Sequence, residues 1–446
     1  MGKYFGTDGV RGIANSELTA MLAMGLGRAA GSLLRESGRE RVVVGRDTRA
    51  SGEMLESALA AGLCSSGADV IRVGVIPTPG IAYLCKYLDA GAGVVVTASH
   101  NPAPDNGIKF FGPDGLKLPD ETEDEIEGRL EALDSLPSPI GAEVGRIQER
   151  RDLVHLYGQQ VRYTIPHRLD GLKIVLDCAN GATSVVAAEI IQDLGGEVTV
   201  MNDRPNGLNI NDACGSLYPQ KMQQAVRDAG ADLGAAFDGD GDRCILCDES
   251  GELVDGDRVM AIYALNWAGS FKLPGNVVVG TVMSNLGLEL ALKKAGITFR
   301  RAPVGDRYVS EQMRKLGAAV GGEKSGHIIF AEHGTTGDGL VTMLQTLGCM
   351  RATRRPLSEL AAQVKELPQL LVNVRVSRKE GWDDEPAVKA AMDQAAAELK
   401  DGGRLLVRPS GTEKLIRVMA EGPDQAQLER LVYSIRDALL ESLGEE

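Results

Sequence analysis

Ser99 is the residue of this sequence best placed to carry out covalent chemistry. It stands in the stretch Gly-Val-Val-Val-Thr-Ala-Ser-His-Asn-Pro, residues 93–102. The three valines predict a short buried strand, and the polar residues and the proline after them predict a loop. A serine at a strand end, beside His100, could carry covalent phosphate. Ser-His neighbours are also common in ordinary loops, so this stretch alone does not decide the chemistry.

A second candidate site is the segment Asp-Gly-Asp-Gly-Asp-Arg, residues 238–243. In an extended chain the side chains of Asp238, Asp240 and Asp242 point the same way, so their carboxylates converge. Crowded carboxylates repel one another unless a cation lies among them, and oxygen ligands suit Mg²⁺. Arg243 could hold a phosphate oxygen beside that ion. The plain alternatives are an acidic surface turn or a calcium loop, although the EF-hand type needs a glutamate that this segment lacks.

Two further polar segments could recognise a phosphorylated sugar. In Glu-Lys-Ser-Gly-His, residues 323–327, Glu323 and Ser325 can bind neighbouring hydroxyl groups, and His327 can donate a hydrogen bond or carry a proton. In Arg-Pro-Ser-Gly-Thr-Glu, residues 408–413, an arginine, two hydroxyls and a glycine turn could surround a phosphate. The candidate phosphate ligands there are Arg408, Ser410, Gly411 and Thr412. Each segment is equally compatible with an ordinary polar turn.

Two basic residues are further candidates for the site: Arg11, near the N-terminus, and Lys109, after the serine segment. Arg11 stands in the glycine-rich stretch Phe-Gly-Thr-Asp-Gly-Val-Arg-Gly, residues 5–12, and Lys109 follows the serine segment. Near a phosphorylated serine, both side chains could stabilise phosphoryl charge or transfer a proton. Taken singly, each is more often a solvated surface charge.

The elements that must position these residues repeat one pattern, in which a helix ends at glycine and a short apolar strand follows. The glycines of this pattern are Gly67, Gly195, Gly230, Gly296 and Gly317. Glycine ends helices in a left-handed conformation, and repeated helix–strand units predict α/β layers with largely parallel strands. Ligands bind at the carboxyl ends of such strands, and Ser99, Asp238 and Glu323 each follow a predicted strand.

The length and composition are those of a globular protein with several domains. The chain has 446 residues, and we predict domains at residues 1–151, 152–257, 258–368 and 369–446. The net charge of −14 argues against a nucleic-acid-binding or membrane-docking protein. Seven scattered cysteines imply no disulfide framework, and we expect the single Cys-x-x-C pair to pack inside a strand. Because no apolar leader or membrane-spanning run is present, we expect a cytoplasmic protein.

Taken together and in this order, the segments resemble the α-D-phosphohexomutase superfamily. The matching segments are residues 5–12, 97–102, 238–243, 323–327 and 408–413. The resemblance therefore covers the whole chain. Three stretches are similar to the superfamily members that act on glucosamine phosphates, namely residues 5–12, 304–309 and 335–339.

The resemblance implies a fold and a site. The fold is α/β, with three related α/β domains that have mixed, largely parallel sheets and a mobile C-terminal α+β domain, all around a central cleft. Ser99 would be phosphorylated, and one Mg²⁺ per subunit would be bound by that phosphoserine and the three aspartates. The groups around the phosphoryl would be Arg11, His100, Lys109 and Arg243, with His327 as a further catalytic residue. Glu323 and Ser325 would bind the sugar, and residues 408–412 would bind its far phosphate.

The reaction that the resemblance implies is the interconversion of glucosamine 6-phosphate and glucosamine 1-phosphate. It would pass through a phosphoserine enzyme and a 1,6-bisphosphate, with glucosamine or glucose 1,6-bisphosphate as activator, and would supply UDP-N-acetylglucosamine for cell-wall precursors. The alternatives are the same chemistry on glucose or mannose phosphates, a non-catalytic sugar-phosphate-binding regulator, and a Mg²⁺-dependent phosphatase. The expected partner is a small sugar phosphate, and a homodimer is compatible with the resemblance.

Overall fold

The computed structural model describes residues 3–6, 8–410 and 413–444. Gly411 and Thr412, two of the predicted phosphate ligands, lie outside the described residues. The chain forms two compact units. The first comprises the residues up to 283 and residues 296–363, and the second comprises residues 284–295 and those from 364 onward.

A six-stranded sheet forms the N-terminal part of the first unit. Its strands are β1 (Val10–Ile13), β2 (Arg41–Arg46), β3 (Asp69–Val75), β4 (Ala92–Val96), β5 (Asp105–Phe111) and β6 (Ile147–Glu149), in the order β1-β5-β4-β2-β3-β6. Its helices are α1 (Ala20–Glu36), α2 (Gly52–Ser65), α3 (Thr78–Tyr87) and α4 (Asp120–Glu131). Strands β2, β3, β4 and β6 are parallel, whereas β5 runs antiparallel to β1 and β4. The valines of β2 and β4 are buried, as a sheet covered on both faces requires.

A five-stranded sheet follows along the chain. Its strands are β7 (Lys173–Asp177), β8 (Glu197–Met201), β9 (Leu233–Phe237), β10 (Cys244–Asp248) and β11 (Leu253–Val254), in the order β11-β10-β9-β7-β8. Its helices are α5 (Leu153–Arg162), α6 (Ala187–Asp193) and α7 (Gln220–Ala229). Strand β7 is parallel to β8 and β9, and β10 is antiparallel to β9 and β11. The Cys-x-x-C pair lies in β10 with both thiols buried and free, which confirms its predicted packing role.

A four-stranded sheet completes the first unit. Its strands are β12 (Val277–Thr281), β13 (Thr298–Ala302), β14 (Val320–Gly322) and β15 (Ile328–Phe330), in the order β13-β12-β14-β15. The helices of this part are α8 (Gly256–Asn266), α10 (Asp306–Leu316), α11 (Gly339–Thr353) and α12 (Leu357–Ala361), while α9 (Leu286–Lys294) belongs to the second unit. Strand β12 is parallel to β13 and β14, and β15 is antiparallel to β14.

The three sheets of the first unit share one topology. The common strand orders are β5-β4-β2-β3, β10-β9-β7-β8 and β15-β14-β12-β13. In each, three parallel strands are followed by one antiparallel return strand. The loops that carry Ser99, Asp238 and Glu323 occupy the same place in each sheet, between the last parallel strand and its return strand. This repetition confirms the predicted α/β class with three related domains and mixed, largely parallel sheets.

The second unit has an α+β fold, as predicted. Its strands are β16 (Gln369–Arg375), β17 (Arg404–Pro409) and β18 (Leu415–Glu421), which form an antiparallel sheet in the order β16-β18-β17. Its helices, besides α9, are α13 (Pro386–Leu399) and α14 (Gln425–Leu443). Buried residues of both helices and of the sheet form one apolar core. Among the described helices of the chain, none is both long enough and apolar enough to cross a membrane.

The five glycines that the sequence places between helix and strand end their helices as predicted. All five have positive φ, from 55° to 94°. Side chains other than glycine rarely adopt this conformation, and it turns the chain from the helix toward the next strand. These glycines therefore determine where each following strand begins. The start of the strand in turn determines the position of the loop at its other end.

Candidate active site

Ser99 lies in the loop between β4 and β5, with its side chain buried against the aspartate segment. Its Oγ donates a hydrogen bond to Asp238 Oδ2 at 2.6 Å, and His100 Nδ1 lies 3.3 Å from the same Oγ. The φ angle of Ser99 is +52°, in the left-handed region that a residue with a β-carbon rarely occupies. Such a conformation costs about 1–3 kcal/mol, so the surrounding contacts must stabilise it.

The three aspartates of residues 238–243 converge, as predicted, but by another route. All three are buried, and one carboxylate oxygen from each lies within 4.8 Å of the others. The segment is a tight turn, in which the N–H of Gly241 donates to the carbonyl of Asp238 at 3.1 Å and Gly241 has φ of +71°. The prediction that an extended chain aligns the carboxylates is therefore wrong, because the turn brings them together.

Gly239 also has a role that was not predicted from the sequence. The sequence suggested that glycines here allow close approach to an ion. A β-carbon at Gly239 would lie 2.6 Å from the carbonyl oxygen of Ser99. The missing side chain therefore allows the loop between β4 and β5 (residues 97–104, the serine loop) to pack directly against residues 238–243 (the aspartate turn).

The aspartate turn fits a divalent cation. Asp240 Oδ1 and Asp242 Oδ1 are buried and have no hydrogen-bond partner among the described residues. The other Asp240 oxygen, Oδ2, accepts hydrogen bonds from Thr78 Oγ1 at 2.6 Å and Lys109 Nζ at 3.2 Å. Buried carboxylate oxygens without partners are unfavourable, and hard oxygen ligands of this kind suit Mg²⁺. Asp238, Asp240 and Asp242 could therefore hold such an ion.

The electrostatics of the turn are those of crowded, buried carboxylates. Burial and the two neighbouring carboxylates raise the pKa of Asp238 well above its usual range. Burial also raises the pKa of Asp242, but His327 and Lys109 outweigh it and hold that pKa well below its usual range. Asp238 and Asp242 thus ionise unequally when only protein charges act on them, because like charges at this distance disfavour full ionisation.

Two of the predicted basic residues contact the aspartate turn directly. Lys109, in β5, has its Nζ 3.2 Å from Asp240 Oδ2 and 3.7 Å from Asp242 Oδ2. Burial lowers the pKa of Lys109, but these carboxylates outweigh it and raise the pKa, so the side chain stays cationic. The backbone N–H of Arg243 donates to Asp238 Oδ1 at 3.1 Å, and its side-chain Nε lies 3.9 Å from Asp242 Oδ1. Both residues therefore lie where they can balance negative charge.

Arg11 and His100 complete the polar surroundings of Ser99. Arg11, in β1, has its Nη1 3.5 Å from Asp8 Oδ2. Burial, followed by the positive charges of Arg243 and Arg11, lowers the pKa of His100 to about 4. His100 is therefore neutral at pH 7 and can act beside Ser99 as a hydrogen-bonding group, not as a cation.

The loop between β14 and β15 joins the same site through His327. His327 Nδ1 lies 3.5 Å from Asp242 Oδ2, and Nε2 accepts a hydrogen bond from the N–H of Gly337 at 3.1 Å. With Nε2 as an acceptor, the ring proton resides on Nδ1 and faces Asp242. Burial lowers the pKa of His327, but the carboxylates of Asp242 and Asp306 outweigh it and raise that pKa. In the same loop Ser325 Oγ donates to Glu323 Oε2 at 3.3 Å. The two side chains predicted to bind sugar hydroxyls thus lie side by side.

Residues 408–413, the C-terminal phosphate loop, are predicted to bind phosphate, and the described residues among them belong to the second unit. Arg408, in β17, lies directly opposite Arg417, in β18. Burial and the charge of Arg417 lower the pKa of Arg408. Ser410 is buried, and its carbonyl accepts a hydrogen bond from Lys379 Nζ at 2.8 Å. Arg417 was not among the predicted residues, although its place in the strand after the loop was readable from the sequence.

The residues that support the serine loop were not among those predicted from the sequence. Asp47 and Arg49 form a fully buried ion pair at 2.9 Å directly after β2. Their segment, Gly-Arg-Asp-Thr-Arg at residues 45–49, follows a run of three valines and so obeys the same strand-end rule that pointed to Ser99. Asn211 also contacts the serine loop, but no local pattern in the sequence marks it.

Comparison with known protein families assigns the whole chain. Four parts of it match the domains described for phosphoglucomutase/phosphomannomutase. Domain I, of the alpha/beta/alpha type, matches residues 2–136, and domain II matches residues 153–251. Domain III matches residues 255–367, and the C-terminal domain matches residues 371–438.

Individual relatives agree with this assignment. Phosphoglucosamine mutase of Symbiobacterium thermophilum is 52% identical over 443 residues, which cover 98% of this chain and 99% of the relative. The structure of a phosphoglucomutase/phosphomannomutase family protein from Burkholderia thailandensis is 25% identical, with a TM-score of 0.82 over 99% of both chains. Aspergillus fumigatus N-acetylphosphoglucosamine mutase, in complex with GlcNAc-6P and magnesium, shares the fold at 20% identity, with a TM-score of 0.67 over 98% of this chain and 96% of that one. The resemblance seen in the sequence is thereby confirmed, and the chain belongs to the phosphoglucosamine mutases, isomerases of the phosphoglucomutase/phosphomannomutase family.

Proposed function

We propose that Ser99 carries a phosphoryl group, transfers it to O1 of glucosamine 6-phosphate, and then takes back the phosphoryl group from O6. The full-length relatives support glucosamine 6-phosphate and glucosamine 1-phosphate as the substrate pair. The observation that carries the proposal is the 2.6 Å hydrogen bond from Ser99 Oγ to Asp238, a member of the buried carboxylate triad. This contact unites a nucleophile with a candidate metal site, which phosphoryl transfer requires.

The two transfers balance in bonds and protons. In the first, the P–Oγ bond of phosphoserine breaks, a P–O1 bond forms, and the O1 proton ends on Oγ. The resulting serine hydroxyl would donate to Asp238, as the Ser99 hydroxyl does here. In the second, the P–O6 bond of the 1,6-bisphosphate breaks, the phosphoryl group returns to Oγ, and the serine proton ends on O6.

The residues around Ser99 would stabilise the charge of the transferring group. Lys109 and Arg11 are the cations that we assign to the phosphoryl oxygens, and neutral His100 would donate or accept a hydrogen bond. Mg²⁺, bound by the three aspartates and the phosphoserine, would neutralise charge on that group. His327, whose Nδ1 proton faces Asp242, would orient this carboxylate.

Substrate recognition would rest on two further segments. Glu323 and Ser325 would bind the sugar hydroxyls, since both side chains are polar, adjacent and close to His327. Arg408 and Ser410, with Gly411 and Thr412, would bind whichever phosphate is not being transferred, and Arg243 would bind a phosphate oxygen. A sugar phosphate is also what the Aspergillus fumigatus enzyme holds in its complex. Glucosamine or glucose 1,6-bisphosphate would prime the serine, and the product would serve UDP-N-acetylglucosamine synthesis in the cytoplasm.

A coupled assay on three substrates tests the proposed function. Wild-type enzyme with Mg²⁺ and a priming bisphosphate is offered glucosamine, glucose and mannose 6-phosphates, and glucosamine 6-phosphate should give the highest kcat/KM. Ser99→Ala should abolish turnover, whereas Ser135→Ala, at an exposed serine, should leave it unchanged. A preference for mannose 6-phosphate would contradict the substrate, and an active Ser99→Ala enzyme would contradict the covalent mechanism.

A further inference from the structure

We infer that Arg49 and Asn211 are positioning residues that jointly hold the backbone of Ser99, an inference that rests on the phosphoryl-transfer function proposed above. Both side chains donate to the carbonyl oxygens of Ser99 and Asn101. Arg49 Nη2 lies 3.0 Å from the first and 2.8 Å from the second. Asn211 Nδ2 lies 2.9 Å and 3.0 Å from the same two oxygens. Arg49 and Asn211 are called the carbonyl clamp below.

Arg49 holds the serine loop from the first sheet. Its Nε pairs with Asp47 Oδ2 at 2.9 Å, and its Nη1 donates to the carbonyls of Pro102 and Asp105. The guanidinium group presents its donors in one rigid plane. With the contacts to Ser99 and Asn101, this one buried side chain spans the loop from the serine to the start of β5. A lysine has neither the planar arrangement nor enough donors to replace it.

The amide side of Ser99 is held by the same ion pair. The N–H of Ser99 donates to Thr97 Oγ1 at 2.9 Å, and Thr97 Oγ1 donates in turn to Asp47 Oδ2 at 2.6 Å. The N–H and the carbonyl of Ser99 are thus both connected to the Asp47–Arg49 pair. These are the two groups that define φ and ψ around the serine, so the network stabilises its left-handed conformation.

Asn211 holds the loop from the second sheet. Its own φ is +59°, and its N–H donates to the carbonyl of Ala179 at 2.9 Å. Ala179 and Asn180 are left-handed as well, with φ of +52° and +49°. Non-glycine residues in this region are strained, and such strain persists where the surrounding structure over-determines it. The backbone at Ala179, Asn180 and Asn211 is therefore strained, as expected for a part of the structure with a functional role.

The proposed reaction explains why Ser99 needs support from two sheets. Ser99 Oγ has to give up and receive a phosphoryl group in two successive transfers, so it must return to one position. If the carbonyl of Ser99 were released, φ could relax to negative values and turn Oγ away from Asp238. A displacement of about 1 Å at a reacting atom can slow a reaction about 10²-fold.

Two variants test the carbonyl clamp. Asn211→Gly removes the amide and still permits positive φ, and Arg49→Lys keeps the charge but loses the planar donors. In each we expect kcat to fall about tenfold to a hundredfold. We expect KM for the sugar phosphate to stay within about twofold, because the clamp does not touch the substrate. Hydrogen exchange should accelerate in the peptide covering residues 97–105, a readout that needs no turnover.

Arg72→Lys is the matched control, since Arg72 binds the buried carboxylate of Glu56 at 2.9 Å in the same sheet but does not contact the serine loop. It should lower thermal stability and leave kcat and exchange in residues 97–105 unchanged. The clamp is overturned if both test variants lose stability but keep kcat within about twofold of wild type. If Arg49→Lys does not fold, Asn211→Gly decides alone. Absence of turnover in the wild type would instead contradict the proposed function, while hydrogen exchange still tests the clamp.

Discussion

The serine loop and the C-terminal phosphate loop are both proposed to handle phosphate, yet they are built in opposite ways. In the serine loop, the buried charge of Arg49 is neutralised by Asp47, and its remaining donors bind loop carbonyls. In the C-terminal loop, Arg408 lies opposite a second arginine, and Arg417 reaches Glu413 only at 4.0 Å. Among the described residues, the charge of the first is paired within the fold, whereas the positive charge of the second is offset only by Glu413, at 4.0 Å.

The functions proposed for the two sites would account for this difference. A covalent site has to define the position of one oxygen before substrate arrives, so its supporting charges are paired within the fold. A non-covalent phosphate site needs positive charge that is balanced only when the phosphate binds. Like charges directly opposite in a sheet destabilise the strand pair by roughly 0.2–1 kcal/mol, and a bound anion relieves this. Under the proposed function, the C-terminal loop would thus give up some stability in exchange for phosphate affinity.

The largest effect should come from the serine side of the comparison. Asp240→Asn removes one carboxylate of the triad and should lower kcat by about 10²–10³-fold, with a weaker dependence on Mg²⁺. Because the change also relieves repulsion among crowded carboxylates, the thermal midpoint in EDTA should stay the same or rise. Steady-state kinetics and a Mg²⁺ titration check this prediction. Unchanged kinetics would remove the triad from the reaction.

A smaller effect, of another kind, is expected on the C-terminal side. Arg408→Ala should raise KM for glucosamine 6-phosphate about 10–100-fold, as expected for the loss of charged hydrogen bonds. Thermal stability should not fall, since one of two facing positive charges is gone. Arg378→Ala, at an exposed arginine of the same unit, is the control and should change neither quantity. A large loss of stability with unchanged KM would mean that Arg408 is structural.

Inorganic phosphate provides a third test of the contrast. At about ten times its Kd, phosphate should stabilise the folded protein by roughly 1.4 kcal/mol, seen as a rise in thermal midpoint. Chloride at equal ionic strength should not reproduce the rise. Most of the shift should disappear in Arg408→Ala. If it persists there in full, phosphate binds elsewhere and the C-terminal loop is not its main site.

The smallest effect concerns stability alone. Arg417→Gln removes the charge opposite Arg408 and should stabilise the ligand-free protein by about 0.2–1 kcal/mol. The gain should shrink in high salt, which screens the repulsion. Thermal denaturation at low and high salt measures it. A loss of stability would show that the two arginines are already balanced by other groups.

The sequence located the candidate site because one physical rule repeats along it. Ser99, Asp238 and Glu323 each follow an apolar strand, and parallel sheets present such strand ends at one edge. The same rule also points to Asp47 and Arg49, which directly follow β2.

Other features of the site could not be predicted from local patterns in the sequence. Asn211 lies 112 residues from Ser99, so only the packing of two sheets brings its amide to the serine carbonyl. The aspartate segment reads as extended chain in the sequence, yet positive φ at Gly241 makes it a turn. The antiparallel direction of the return strands after the three loops could not be predicted either. The strands β10 and β15, for example, are as short and apolar as their parallel neighbours.

The central claim is that Ser99 is the phosphoryl carrier, and isolation of the phosphoenzyme tests it most directly. Intact and peptide mass spectrometry of enzyme treated with a 1,6-bisphosphate should show one phosphoryl group, located on Ser99. Addition of unlabelled glucosamine 6-phosphate to enzyme that carries an isotope-labelled phosphoryl group should move the label to the sugar within one turnover. An enzyme that turns over while Ser99 remains unmodified, or a label that stays on the protein, would contradict the account.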